Sequence, residues 1–387
     1  MRDKVDHLRV EVNAVFPHGA LETMAGNILR LQRKFSFEKS GFASLSKACR
    51  VGYTAKPMTQ KNRLAILFAG AALSCSVPCF AQTARGNGYT AYSTPAKNPE
   101  TSRAPSFAAV LLGGHGDVDE ANKFLCEHSG GGELVVLSAS GEDEYNSDFH
   151  AACPGNSVTT LVITSPEGGN DPFVADKIRE AHAIFISGGD QSNYVKFWTG
   201  KAVQKEINAD VARGVPLGGI SAGLAVQGEF VFTAMQDTVK SPEALANPYD
   251  SHVTLVRDFL TIPILKGVIT DSHFSQRERM GRSIAFLARI LQDGWAREVH
   301  GIGIDETTAV LVDETGHARV VGKNSAYFMT LDHRPENCTD GKPLTVRHVK
   351  VLKLSAGDTF DLKSWTAAGG ASFEVNVVDG KMMRTDQ

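Results

Sequence analysis

The chain has no excess of either charge. Forty Lys and Arg stand against 43 Asp and Glu over 387 residues, a formal charge of −3. That balance leaves no electrostatic footprint for nucleic acid and no sign of an acidic, disordered chain. No apolar run reaches the ~20 residues a membrane helix needs. No internal repeat and no long low-complexity block interrupts the sequence. The cysteines show no close metal-ligand spacing and no phosphate-loop pattern is present, so neither a metal nor a cofactor is expected. The remainder is ordinary for a globular protein, with 42% hydrophobic and 21% charged residues.

The N-terminal region separates from the rest. Lys61 and Arg63 precede an uncharged, mostly apolar stretch, Leu64 to Val77, and Cys79 and Ala81 are small residues at −3 and −1 of a cut before Gln82. This is the layout of a secretory signal peptide. Such segments begin chains, and Met58 stands just ahead of Lys61. Residues 58–81 are therefore read as the signal and residues 1–57 as an upstream extension. The expected location is exported, periplasmic or extracellular. A lipid anchor at Cys75 is the variant reading, although Ala72 stands where Leu is usual. Cleavage would leave Cys126, Cys153 and Cys338. An odd number requires a free thiol or an intermolecular bond, and export would permit a Cys126–Cys153 disulfide.

Residues 82–103 are rich in Thr, Ser, Gly, Asn and Pro and read as a flexible lead-in. Apolar, β-branched runs at 107–112, 134–138, 158–163, 183–187 and 216–220 then alternate with helix-like stretches at 175–183 and 193–213. This pattern predicts a doubly wound α/β fold, a mostly parallel sheet flanked by helices. Short strands dominate beyond about residue 297, at 301–305, 308–312, 318–321, 326–330 and 349–354. They form a β-rich C-terminal extension of one domain spanning 104–382.

The sharpest motif is Gly219-Ile220-Ser221-Ala222-Gly223, a G-x-S-x-G pattern between a strand and a helix. Such an elbow exposes a serine hydroxyl at a helix N-terminus. A hydroxyl needs a base to take its proton. His273 supplies one, at the end of the run Gly267-Val268-Ile269-Thr270, within Asp271-Ser272-His273-Phe274. Arg277, Arg279 and Arg282 follow, a set suited to carboxylates. They cannot share one helical stripe, so some point elsewhere unless the backbone is irregular. The order Ser, acid, His would match a known triad order, which makes Asp237 the candidate acid and Glu243 its rival. Asp271, so close to His273, is preferred as a substrate contact.

These segments, with Leu111-Leu112-Gly113-Gly114, Gly188-Gly189-Asp190-Gln191 and Gly301-Ile302-Gly303-Ile304-Asp305-Glu306, resemble in order and spacing the cyanophycinase-like branch of the S51 serine peptidases. The resemblance runs from about Phe107 to Leu362. It implies a fold like class I glutamine amidotransferases (flavodoxin-like), with serine replacing the elbow cysteine. It further implies Ser221 as nucleophile, His273 as base, and the N–H groups of Gly189 and Ala222 as oxyanion hole. Gln191, Asp271, Arg277, Arg279 and Arg282 match the family's substrate pocket. The substrate implied is an aspartyl or isoaspartyl peptide, such as cyanophycin or its β-Asp-Arg products. Two departures stand out: Ile220 where Thr is usual, and Ser272 where Gln is usual. Ser272 cannot make an amide's contacts, so short aspartyl peptides are favoured over the polymer. By itself the pattern leaves a second function open, a non-catalytic periplasmic binding protein for an amino-acid-like ligand. The expected partner is the peptide substrate, possible arginine content included, with no nucleic acid and no stable membrane span after processing. A homodimer is the one assembly kept open.

Overall fold

Eleven strands form the first sheet, in the order Gln82–Gly86, Tyr89–Thr94, Asn156–Ile163, Gly132–Ser138, Ala181–Ile186, Leu217–Ile220, Ala108–Leu112, Thr308–Asp313, His317–Gly322, Thr359–Asp361 and Thr366–Ala368. The computed structural model describes residues 82–98, 102–116 and 118–386. The upstream extension, the signal segment and Cys75 lie outside them. The middle of the sheet, from Asn156–Ile163 to Ala108–Leu112, is parallel throughout. These strands are almost wholly buried, as continuous apolar runs covered on both faces must be. Both flanks of the sheet are antiparallel.

A second sheet of eight strands was not anticipated as a separate body. Its order is Lys381–Asp386, Ala371–Val378, Val346–Ser355, Ser325–Leu331, Val299–Ile304, Val268–Asp271, Phe230–Phe232 and Leu255–Arg257. Only the pairings of Val268–Asp271 are parallel. The expected mostly parallel sheet is thus a parallel core inside a mixed sheet, and the β-rich extension builds most of a second one. One core joins the two, with Leu111, Ile184 and Val310 from the first sheet packed with Val268, Ile302 and Phe328 from the second. Helix Met280–Gln292 covers the second sheet through Ile284, Leu287 and Ile290. Helices Asp119–Ser129 and Glu144–Ala152 cover the first through Leu125 and Phe149.

Three local expectations are corrected. The lead-in begins as a β-hairpin, Gln82–Gly86 with Tyr89–Thr94, paired onto Asn156–Ile163. Tyr89 and Ala91 face inward while their neighbours do not, and Tyr89 stacks on Phe173 at 5.5 Å. The strand alternation was present beneath a loop-like composition. The helix placed at 175–183 is Pro172–Arg179, begun by Pro at its first position and capped by Asp171, because Ala181 already starts a strand. The long helix at 193–213 is two, Gln191–Trp198 and Ala202–Ala212. Gly200, at φ +69°, ends the first. Strands also begin at Gln82 and end at Asp386.

Candidate active site

Ser221 follows the strand Leu217–Ile220 and precedes the short helix Ala222–Ala225. Its φ of 56° and ψ of −112° lie outside the regions an L-residue prefers, a strain typical of functional turns. The turn is tight because a side-chain carbon at Gly223 would sit 2.0 Å from the Ile186 carbonyl oxygen, and one at Gly219 2.5 Å from that of Gly223. Ser221 Oγ lies 2.7 Å from His273 Nε2. His273 comes from the second sheet, just beyond the strand Val268–Asp271, as its run of apolar residues indicated.

The two glycines after Ala108–Leu112 hold this junction together. Three consecutive carbonyls, of Leu112, Gly113 and Gly114, accept the N–H groups of Ser221, His273 and Thr307 at 3.1, 2.8 and 2.8 Å. Gly114 has φ +116°, and a side-chain carbon there would be 2.4 Å from His273 Cε1. Only glycine lets the imidazole approach so closely.

The carboxylate at the imidazole is Glu306. Its Oε1 is 2.7 Å from His273 Nδ1, and its own N–H donates to Gln276 Oε1 at 3.0 Å. The structure does not bring Asp237 or Glu243 to His273. Asp237, exposed at φ 75°, accepts the Thr238 N–H at 2.6 Å. Glu243 accepts the Lys240 N–H at 2.8 Å, capping helix Ser241–Ala246. Along the chain the hydrogen-bonded residues come in the order Ser221, His273, Glu306. The signal was the acidic pair ending the strand Val299–Ile304. Asp305 accepts N–H groups of Ser275 and Ser325 and is the strand-end cap, while Glu306, one residue on, faces the histidine.

His273 is buried, and burial holds its pKa below the ordinary imidazole value. Arg277 and Arg279 push the same way, and the Glu306 hydrogen bond partly offsets them. The bond to His273 in turn holds the Glu306 carboxyl below its usual range. The resting pair is therefore a neutral imidazole against a carboxylate, the state in which Nε2 can accept a proton.

The residues expected to bind substrate divide by burial. Arg282, 2% exposed, forks onto Asp271 through Nε and Nη2 at 2.8 and 2.6 Å. Its guanidinium also lies over the Phe232 ring at 5.1 Å. Arg279 reaches Asp271 Oδ1 at 3.1 Å and the Ser272 carbonyl at 2.9 Å, and burial lowers its pKa to about 10. Burial alone would raise Asp271, but Arg282 and Arg279 overcome it and hold the carboxyl below its ordinary value. Asp271 is thus occupied by arginines. Arg277 is exposed; its N–H donates to the His273 carbonyl at 3.0 Å, and its guanidinium is the one of the trio outside the Asp271 cluster among the described residues. The three do not share a helix: residues 272–279 form an irregular turn, with Glu278 at φ 51°, and helix Met280–Gln292 starts after it. A cavity of about 1010 Å³ opens beside Gly189, lined by Gln191, Lys196, Lys240, Arg277 and Arg279 among others. Ser221 and His273 are not in its lining. Gln191 makes only a 3.5 Å contact, to the Phe232 carbonyl.

Cys126 and Cys153 form a disulfide, with Cα atoms 5.6 Å apart, and Cys338 is a buried free thiol. No helix among the described residues is long and apolar enough to cross a membrane.

Comparison with known proteins gives the following likenesses. The family model of peptidase family S51 matches residues 139–320. A cyanophycinase of Geminocystis herdmanii is 27% identical over 281 residues, 68% of this chain and 96% of that protein. A cyanophycinase of Trichormus variabilis is 31% identical over 210 residues, 53% of this chain and 65% of the other. A crystal structure of a peptidase from an acI-B1 Actinobacterium overlays with a TM-score of 0.46 at 19% identity, over 67% of this chain and 98% of that one. The family match over residues 139–320 and the cyanophycinase relatives support a serine-type hydrolase similar to the cyanophycinase-like members of peptidase family S51.

Proposed function

We propose that the protein is an exported peptidase that hydrolyses aspartyl or isoaspartyl peptides through a Ser221–His273–Glu306 triad and an acyl-enzyme. The observation that carries this reading is the continuous hydrogen-bonded series from Ser221 Oγ to Nε2 and from Nδ1 to Glu306, both at 2.7 Å. His273 Nε2 takes the Ser221 proton as Oγ attacks the scissile carbonyl, and Glu306 stabilises the imidazolium that forms. The N–H groups of Gly189 and Ala222 receive the oxyanion. Ala222 opens a helix, where N–H groups lie outside the intrahelical ladder. The imidazolium then protonates the departing amine, and water releases the acyl group by the same route. Arg277 receives a substrate carboxylate, seconded by the N–H groups of Arg279 not directed at Asp271. Gln191 lines the same cavity, and Asp271 with Arg282 fixes its base.

Export accords with the disulfide, since such bonds persist in oxidising compartments, and with the signal-like segment before Gln82. N-terminal sequencing of the expressed protein is expected to begin at or near Gln82; a protein that keeps residues 1–57 would refute it. The catalytic reading is tested with a phosphonofluoridate probe and peptide mapping, beside hydrolysis of β-Asp-Arg, other isoaspartyl dipeptides, α-Asp dipeptides and cyanophycin in the presence of chelator. Labelling at Ser221 with turnover of an aspartyl substrate is expected. No label and no turnover would leave a binding protein instead.

A further inference from the structure

Among the described residues the exposed large apolar side chains are Met235, Met382 and Met383. The last two lie on the edge strand Lys381–Asp386. Met235, 39% exposed, lines the cavity of about 1010 Å³ that also holds Gln191, Arg277 and Arg279. A single exposed methionine is common on a surface, but the backbone that carries this one is not. Ala234 has φ 52° and Asp237 φ 75°. Aspartate tolerates the left-handed region, whereas alanine seldom enters it. Such outliers persist only where the surrounding structure holds them.

The turn is held at both ends. The Thr233 N–H donates to the Thr254 carbonyl at 2.9 Å, and the hydroxyls of these two threonines are 2.8 Å apart. The Met235 N–H donates to both hydroxyl oxygens, at 3.3 and 3.2 Å. The Asp237 N–H closes the turn onto the Ala234 carbonyl at 3.0 Å. Beyond it, Arg282 Nη1 donates to Thr238 Oγ1 and to the Val239 carbonyl at 3.1 and 3.3 Å. The same guanidinium forks onto Asp271, so it ties this turn to the strand that leads to His273. Met235 is thus presented to the cavity from a fixed backbone. The apolar side chains of the lining, Ala234, Met235, Val239 and Pro242, all come from this one stretch, while the guanidinium groups come from the segment after His273.

Gly189, assigned above to the oxyanion, and Gln276, which accepts the Glu306 N–H at 3.0 Å, line the same cavity. Its volume stands at the top of the ~300–1,000 Å³ range of sites that enclose drug-sized ligands. An aspartyl unit with its carboxylate on Arg277 fills a small part of that space. We propose that the remainder takes the side chain of the residue joined to the aspartyl group, and that Met235 packs on it as the specificity determinant for long aliphatic side chains. This inference rests on the peptidase reading above. It is tested on two dipeptides with the same acyl part, β-Asp-Leu and β-Asp-Gly. Wild-type enzyme should favour β-Asp-Leu in kcat/KM by at least about tenfold. Met235→Ala and Met235→Gln should each lower kcat/KM for β-Asp-Leu about tenfold, mainly through KM, and leave β-Asp-Gly within about twofold. Met235→Leu, which restores apolar contact, should stay within about threefold of wild type on both. Melting temperature and phosphonofluoridate labelling of Ser221 should be unchanged in all three variants. Equal losses on the two dipeptides, no loss on either, or a Met235→Leu enzyme as impaired as Met235→Gln would overturn the proposal. A wild-type enzyme labelled at Ser221 but without preference for leucine would overturn it too, and leave the peptidase reading standing. Wild-type protein inert on both dipeptides and unlabelled would remove the peptidase reading, and this one with it.

Discussion

Replacing Glu306 by Gln separates the geometric assignment of the acid from the one suggested by chain order. The substitution keeps size and shape but removes the charge 2.7 Å from His273 Nδ1. The attraction between unit charges ~4 Å apart is about 4 kcal/mol at the effective dielectric usual near a protein surface. The Glu306 side chain is 23% exposed, so the surface value is the appropriate one. Lost from the transition state, where His273 is an imidazolium, it corresponds to a fall in kcat of about 10³-fold. That is somewhat less than the ~10⁴-fold seen for a buried triad carboxylate. The pH profile gives a second signature. Glu306 opposes the downward shift that burial and the arginines impose on His273. Its removal should move the acid limb of kcat/KM to lower pH while lowering the plateau. The assay is steady-state hydrolysis of an aspartyl dipeptide from pH 4 to 9 for wild type, Glu306→Gln and Asp237→Asn. Asp237→Asn should remain within about threefold of wild type, because among the described residues its carboxylate accepts from the adjacent N–H and does not reach His273. A collapse of Asp237→Asn with an active Glu306→Gln would refute the assignment.

The arginine trio should split by function. Arg282→Ala leaves Asp271 buried without its fork and is expected to cost about 3–5 kcal/mol in denaturant unfolding, whereas Arg277→Ala should leave stability unchanged and raise KM. Ser221→Gly should be more stable than Ser221→Ala by about 0.5–1 kcal/mol, as both abolish turnover but only glycine relieves φ 56°. In the wild-type enzyme the acid limb of kcat/KM should fall below the ordinary histidine value of 6.5, since the base must be neutral; a limb above it would contradict the burial argument. Opening the Cys126–Cys153 disulfide, with its 27-residue separation, should lower stability by about 3.5 kcal/mol on the chain-entropy estimate, read by chemical unfolding with and without reductant.

Legibility followed the physical range of each signal. The parallel strands could be read because they are almost wholly buried, so most of their positions are apolar. The elbow could be read because steric demands at Gly219 and Gly223 fix residue types locally. His273 was found because a strand ends just before it. The Glu306 contact escaped because it lies 33 residues beyond the histidine and depends on how one sheet's strand end meets another's. No spacing rule distinguishes Glu306 from Asp305, the adjacent cap. The hairpin at 82–94 was hidden for a different reason. Only Tyr89 and Ala91 face the core, too few apolar positions to outweigh Thr, Ser and Gly in the composition. The division of the arginines into fixed and available ones follows from an irregular backbone at 272–279 that no helical periodicity describes.

Ser221 belongs to the first sheet, while His273 and Glu306 follow strands of the second, and carbonyls of Leu112, Gly113 and Gly114 clamp the three segments together. The separations along the chain, 52 residues from serine to histidine and 33 onward to glutamate, make these late contacts in any folding sequence governed by loop closure. A chain in which only one sheet has formed has a serine without a base. Under the proposed triad, hydrolytic power arrives with the docking of the two sheets and cannot act on half-folded sister chains. In a refolding experiment, recovery of activity should lag the recovery of secondary structure, and that lag would time the meeting of the sheets.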